Sequence, residues 1–298
     1  MRLLALLVVA GGVAAAAAGA VRAPMVVAKI KVAPSAAPCA TAAAGGSVWV
    51  SEYGSPYLLR IDPKTNKVVS KTRIGFGSCG LGAGDGSLWV EDTSSGTLSR
   101  VSVKTRKRTA IPVGSQPYDA TFAYGAAWVT SYGNSDVERV DPARNKVVKR
   151  FPLELATGVV GAFGSVWAAG GNTVLRIDPA TNRVVAKVPV EGAGWTAASD
   201  DAVWITAPGV LVRIDPKTNT VAATIPIHVP ALGDPSVVGG MVWVPEIRQN
   251  AIALVDPSTN RVSGTVKVGA GPFVVTEIAG QAWVPSWKGA DIWRIAPR

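Results

Sequence analysis

Helix-forming periodicity is almost missing from this 298-residue chain. Few stretches repeat Leu, Glu and Lys at amphipathic spacing, which argues against a helical fold class. Cysteine and histidine are scarce, with two Cys and the single His228, and no zinc-ligand spacing is present. Glycine-rich stretches such as GFGSCGLGAGDG (Gly75–Gly86) lack the following helix and the Lys-Ser/Thr of a phosphate loop. No nucleophile-elbow sequence occurs either. These absences remove the nucleotide-binding, zinc-module and serine-hydrolase readings. Beyond residue 20 there is no second apolar run long enough to span a bilayer.

What is present begins with Met1-Arg2, an uncharged run from Leu3 to Ala20, and the small-x-small end Ala18-Gly19-Ala20. That pattern predicts a signal peptide over residues 1–23 and a mature domain over residues 24–298. A retained single anchor is the alternative. Cys39 lies too far downstream for a lipid attachment site. The expectation is a secreted or periplasmic, cell-envelope protein with no membrane span after cleavage.

The mature chain is rich in Gly, Pro, Val, Thr and Trp, and it repeats. A Gly-x-apolar-Trp-apolar string reads GSVWV at Trp49, GSLWV at Trp89, GAAWV at Trp128 and GSVWA at Trp167. It continues as DAVWI at Trp204, GMVWV at Trp243 and GQAWV at Trp283, with intervals of 40, 39, 39, 37, 39 and 40. A second string follows each anchor: LLRIDPKTNKVV at Leu58–Val69, VERVDPARNKVV at Val137–Val148, VLRIDPATNRVV at Val174–Val185. It recurs as LVRIDPKTNTVA at Leu211–Ala222 and IALVDPSTNRVS at Ile252–Ser263. In the second repeat Ser102-Val103 replaces Asp-Pro, which predicts a looser turn there.

Each repeat reads as four short strands. Strand A is small and apolar, B carries the Trp, C runs into an Asp-Pro turn, and D is the Val-Val segment. Seven such units of about 40 residues predict an all-β, seven-bladed β-propeller with four-stranded blades. Met25–Ala33 looks like a strand D without its A, B and C. The chain ends on a strand C without its D. Pairing the two closes the ring on an N-terminal outer strand joined to the C-terminal blade. The anchor Trp side chains are expected to pack between adjacent blades.

The net charge of +10 has a local source. Lys64, Lys67, Lys104, Arg106, Lys107, Arg108, Arg144, Lys146, Lys149, Arg183, Lys217 and Arg261 fall in or just after the recurring turn. A repeated solvated turn accounts for the basic balance. A polyanion partner is the alternative.

GSVWV followed by LLRIDPKTNKVV resembles the YVTN-type and streptogramin-lyase-like propeller repeat, over essentially the whole mature chain. The resemblance implies the fold more strongly than an activity. Relatives of this type are extracellular sensor or binding domains. The streptogramin B lyases among them open a cyclic lactone by elimination, with a magnesium ion and a catalytic His. The lyase motif does not map onto this chain residue by residue, so no catalytic residue and no metal ligand is carried over.

Candidate site residues follow from the propeller rule that the B–C and D–A connections share one face. B–C starts supply Glu52, Asp92 and Glu246, with Tyr53, Tyr132 and Trp287 beside such positions. D–A connections supply Tyr118, Asp119, Trp195, His228, Asp234 and Phe273. Departures from a repeat on the loop-rich face are where function concentrates. The expected ligand set is therefore Glu52, Tyr53, Asp92, Tyr118, Tyr132, Trp195, His228, Glu246 and Trp287, around the channel mouth. The inner strands promise an apolar channel, with Glu277 the exception. Cys39 and Cys79 each lie ten residues before an anchor Trp, at equivalent positions in adjacent blades. They are candidates for a disulfide, with free thiols the alternative.

These features favour an exported, monomeric, non-enzymatic binding propeller. Its partner would be a small-molecule, peptide or envelope ligand, with no cofactor and no nucleic acid. A metal-dependent lyase-like or lactonase-like enzyme and a basic scaffold for anionic envelope polymer are the competing readings.

Overall fold

The computed structural model describes residues 23–297. The expected signal peptide, but for Ala23, lies outside those residues. Twenty-eight strands form seven four-stranded antiparallel sheets, and no helix occurs among the described residues. Six sheets follow chain order. The seventh runs, from outside inward, Met25–Lys31, Asp291–Ala296, Gln281–Ser286 and Thr276–Ile278. Met25 pairs with Ala296 and Lys31 with Asp291. The fold is thus a seven-bladed propeller whose ring is closed by the N-terminal strand, which leaves no unpaired joint between first and last blade.

The repeat explains the burial. Strand B is sandwiched between neighbouring blades, so both of its faces are covered; Ser47–Glu52, Ser87–Asp92, Ala126–Ser131 and Ser165–Gly170 are buried throughout. Strand D forms the outer rim and is mostly exposed, as in Lys67–Arg73. All seven anchor Trp are at most 1% exposed. Each packs onto the following blade: Trp49 onto Leu88 and Val90, Trp128 onto Val159 and Val166, Trp283 onto Val48 and Val50. The indole N–H groups of the first six donate back to the A–B turn, for instance Trp49 to the Ala44 carbonyl and Trp243 to that of Val238, both at 3.1 Å. Both ends of the ring system are therefore committed to the fold.

A second inter-blade device uses the Arg of strand C. Arg100, Arg139, Arg176, Arg213 and Arg294 lie over the anchor Trp of their own blades, at 5.0–5.5 Å from the ring centroids. Each also reaches into the C–D turn of the next blade. Arg176 donates to the Pro216 carbonyl at 2.7 Å and to Asn219 Oδ1 at 2.8 Å; Arg294 does the same to Pro63 and Asn66 across the ring joint. Blade 6 carries Leu254 at this position. It faces blade 7, whose outer strand arrives from the N terminus and so offers no C–D turn to receive a guanidinium.

The turns themselves follow the Asp-Pro signature. Asp62, Asp178 and Asp215 accept the N–H two residues on, at 2.7–2.9 Å. The Asn that follows sits in the left-handed region, with φ of 55° at Asn66 and 58° at Asn219, which a short polar side chain tolerates. In blade 2 the turn is closed although Asp-Pro is missing. Ser102 Oγ accepts the Thr105 N–H at 3.2 Å, and the Ser102 carbonyl accepts that of Arg106 at 2.8 Å. The departure shows elsewhere: Arg106 takes φ 62°, and the outer strand Arg108–Pro112 has five residues where other blades have seven. Arg60 faces this altered turn and hydrogen-bonds Ser47 of its own blade instead, at 2.8 Å.

Candidate ligand site at the channel mouth

Six aromatic side chains gather where the B–C and D–A connections surround the channel. Tyr118 stacks on Trp195 with centroids 5.3 Å apart, and Trp195 meets Phe273 edge-on at 5.0 Å. Tyr132 leans on Tyr118 at 5.6 Å, and Tyr53 meets Trp287 edge-on at 5.7 Å. They come from blades 1, 3, 5 and 7, so only the closed ring brings them together. Five of them (Tyr53, Tyr118, Trp195, Phe273 and Trp287) line a cavity of ≈ 130 Å³, with Cys39, Gly77, Cys79, Glu91 and Thr93 completing the wall. Trp195 is 8% exposed, whereas Tyr53, Tyr118 and Tyr132 are 37–44% exposed.

Glu91 was not anticipated. It sits two residues after the anchor Trp, on the same face of strand B as that Trp. In blades 1, 3 and 5 this position supplies a small hydroxyl acceptor. Ser51 Oγ accepts the Ala40 N–H at 3.1 Å, Thr130 Oγ1 that of Asp119 at 3.0 Å, and Thr206 Oγ1 that of Trp195 at 3.1 Å. In blade 2 Glu91 Oε1 does this work for the Cys79 and Gly80 N–H groups. Its second oxygen, Oε2, is out of solvent and has no hydrogen-bond partner. The signal was legible: a carboxylate stands where the other repeats have Ser51, Thr130, Ala169, Thr206, Pro245 and Pro285.

Below the mouth, the channel holds two more acids. Asp119 and Asp234 line a cavity of ≈ 290 Å³ whose other walls are Ala, Gly, Val, Leu, Thr and the same Cys79. Asp119 accepts the Ala120 N–H at 2.8 Å and, across the blade interface, the Val159 N–H at 2.9 Å. Asp234 is held by backbone pairing to blade 7, its N–H donating to the Phe273 carbonyl at 2.7 Å. Its Oδ1 has no partner. Burial pushes the Asp119 carboxyl up to about 6, against the pull of its two backbone donors. Burial, with the neighbouring Asp119 charge adding, holds Asp234 well above the usual carboxylate range. Burial likewise raises Glu91 well above that range, against its backbone donors and with Asp119 again adding. The Tyr118 phenol is raised by burial and by Tyr53, Tyr132 and Glu91 around it. The channel is therefore acidic at its top rather than purely apolar.

Other expected residues lie elsewhere. Glu52, Asp92 and Glu246 do not line the mouth cavity. They turn toward strand D of their own blades: Asp92 pairs with Arg108 at 3.5 Å, Glu52 bonds Ser55 and feels Lys71, and Glu246 feels Lys267. Successive residues of a strand point to opposite faces, so Asp92, one step beyond Glu91, lies on the other face of its blade. His228 is exposed on the connection between Thr220–Pro226 and Ser236–Val238, with φ 64°, and does not line the cavity. Glu277 is exposed and accepts the Gly280 N–H of its own A–B turn. Cys39 and Cys79 are joined in a disulfide, with Cα atoms 5.0 Å apart, in the cavity wall. The magnesium centre of the lyases does not fit the residues present. Among the described residues no three His, Cys, Asp or Glu side chains group to hold a metal ion, and the one His stands outside the cavity.

These features define a closed seven-bladed propeller with one aromatic mouth. In fold it is a streptogramin-lyase-like β-propeller. A streptogramin B lyase structure matches it with a TM-score of 0.79 at 14% identity, covering 91% of this chain and 97% of that one. The hydrazine synthase of Kuenenia stuttgartiensis matches with a TM-score of 0.72 at 14% identity, over 85% of this chain and 93% of that one. At such identity the likeness is one of fold. A family model described as a repeat of unknown function (DUF6923) matches residues 69–203, which is less than half of the chain. No curated protein matches in sequence.

Proposed function

We propose that this protein is an exported, non-enzymatic propeller that binds a small ligand, or the tip of a larger one, at its aromatic mouth. The observation that carries the reading is the cavity walled by Tyr53, Tyr118, Trp195, Phe273 and Trp287. Such rings, partly exposed around a concave site, supply apolar contact area with polar edges. The repeat needs none of them: the anchor Trp already fill the blade interfaces. Export is supported by the apolar N-terminal run and by the Cys39–Cys79 bond, since such bonds persist in oxidising compartments.

The test is a small-molecule and peptide screen read by tryptophan fluorescence, followed by titration of each hit into Tyr118→Ala and Trp287→Ala. Removing a stacking ring is expected to weaken a true mouth ligand by about two- to tenfold, since one aromatic contact contributes about 0.5–1.5 kcal/mol. Hits that bind both variants as tightly as the parent protein place the ligand elsewhere and refute the reading.

A further inference from the structure

We propose that the mouth cavity binds an organic ammonium group, with the aromatic rings facing the cation and Glu91 as its counter-charge. This rests on the mouth being a ligand site and adds the chemical class of the ligand.

Three observations converge. The first is size. A cavity of ≈ 130 Å³ is smaller than the roughly 300–1,000 Å³ that a whole drug-sized ligand occupies, so it suits a compact headgroup. The second is the wall. Five aromatic rings surround the space, and ring faces attract cations through their quadrupole. The third is an unpartnered carboxyl oxygen. Glu91 is 0% exposed, lines the cavity, and has Oε2 without a partner.

No cation within the site pairs with that carboxyl, which burial holds toward its protonated form until a cation is seated beside it. No Lys, Arg or His lines the cavity, and the charged neighbour that Glu91 feels is another acid, Asp119. Leaving a buried carboxylate uncompensated is costly, and a seated cation offsets that cost. The acid is also more than the fold requires. Ser51, Thr130 and Thr206 satisfy the equivalent backbone N–H groups with one hydroxyl each, so the second oxygen of Glu91 is surplus to the repeat.

A metal ion is the poorer match. Calcium takes six to eight oxygen ligands and magnesium near-octahedral geometry. Glu91 is the one carboxylate of the cavity, and its Oε1 is already occupied by two backbone donors. An ammonium asks for one counter-charge and aromatic neighbours, and the wall offers Glu91 and five rings.

The experiment compares choline with 3,3-dimethyl-1-butanol, which has the same shape without the charge. Each is titrated into the protein with fluorescence and calorimetric readout. Choline is expected to bind at least about tenfold tighter, the factor that corresponds to a desolvated cation–π and ion-pair contribution. In Glu91→Gln, whose amide oxygen still serves Cys79 and Gly80, the two affinities should converge. Glu91→Thr, which installs the residue found at Thr130, is the second variant should the first fail to fold. Equal affinity in the parent protein leaves a shape-selective mouth and removes the cation. A choline preference that survives both Glu91 variants overturns the role of Glu91. Competition by magnesium or calcium that displaces choline at lower concentration assigns the site to a metal and overturns the proposal, as does saturable binding of neither probe. Choline binding that is unchanged by Tyr118→Ala sinks the mouth reading as well.

Discussion

Arg294 donates to Asn66 Oδ1 at 3.1 Å across 228 positions of sequence, tying the last blade to the turn of the first. The same guanidinium lies 5.3 Å from the Trp283 ring. The contact repeats around the ring, so its energetic role can be read by comparison. Arg294→Ala should destabilise the fold by about 2 kcal/mol, in the range for hydrogen bonds to a charged group. It should also raise hydrogen exchange in Met25–Lys31 and Asp291–Ala296, the strands of the joint. Arg60→Ala, at a position that bonds only Ser47 of its own blade, should cost less than half as much. Equal losses in a urea titration would show that the inter-blade bonds contribute nothing beyond the packing of the Arg stem.

The disulfide gives a second prediction. Cys39 and Cys79 are separated by 40 residues, a loop for which cross-linking stabilises by about 2–4 kcal/mol in the chain-entropy account. Non-reducing denaturation should reveal no free thiol. Cys79→Ser should lower the urea midpoint and loosen the cavity wall that both residues line. Two titratable thiols in the oxidised protein would refute the bond.

Acidity in the channel predicts an unusual pH dependence. Asp119 titrates near 6 in the folded chain, above its ordinary 3.8. The folded state thus holds more protons than the unfolded one between those values. Its contribution to stability is full below about pH 4 and is lost as pH rises through about 6. Glu91 and Asp234 are raised in the same sense and act in the same direction. Asp234→Asn keeps an oxygen for the Thr196 N–H and removes the carboxyl on which the Asp119 charge acts. It should flatten the fall in stability between pH 4 and pH 7, because the raised Asp234 carboxyl no longer has to give up its proton as pH rises. Urea midpoints from pH 4 to 7 measure this. A variant whose midpoint falls with pH as steeply as the parent's would show that the pair is not electrostatically coupled.

The anchor and mouth aromatics should separate cleanly. Trp167→Ala, at a side chain with no exposure in the interface between blades 4 and 5, should cost about 3–5 kcal/mol. Tyr132→Ala, at a ring 39% exposed at the mouth, should cost less than about 1 kcal/mol. Thermal unfolding checks both. A large loss at Tyr132 would mean that the mouth cluster is structural rather than available for a ligand.

Much of this was legible beforehand because the repeat writes the same physics seven times. The Trp spacing marks strand B, Asp-Pro marks the C–D turn, and the orphan strand at Met25 pairs where its missing partners stand at the other end. Leu254 also carried a message: the Arg is absent where no turn exists to receive it. The site was half legible. Tyr53, Tyr118, Trp195 and Trp287 were placed on the correct rim and do meet. Glu52, Asp92 and Glu246 were placed one strand step too far, where side chains turn to the outer blade. Glu91, Asp119 and Asp234 come from separate blades, and their mutual influence depends on how steeply each inner strand runs down the channel, which no single repeat encodes.

The sequence by itself therefore determined the blade, the number of blades and the manner of closure, since each rests on local turn chemistry and periodic burial. Only the tertiary structure decided what the ring surrounds. Closure sets residues from blades 1, 2, 3, 5 and 7 around one small cavity. Burial in that space turns Glu91, one more acid in the sequence, into a carboxyl with a raised pKa and an unpartnered oxygen beside five aromatic rings.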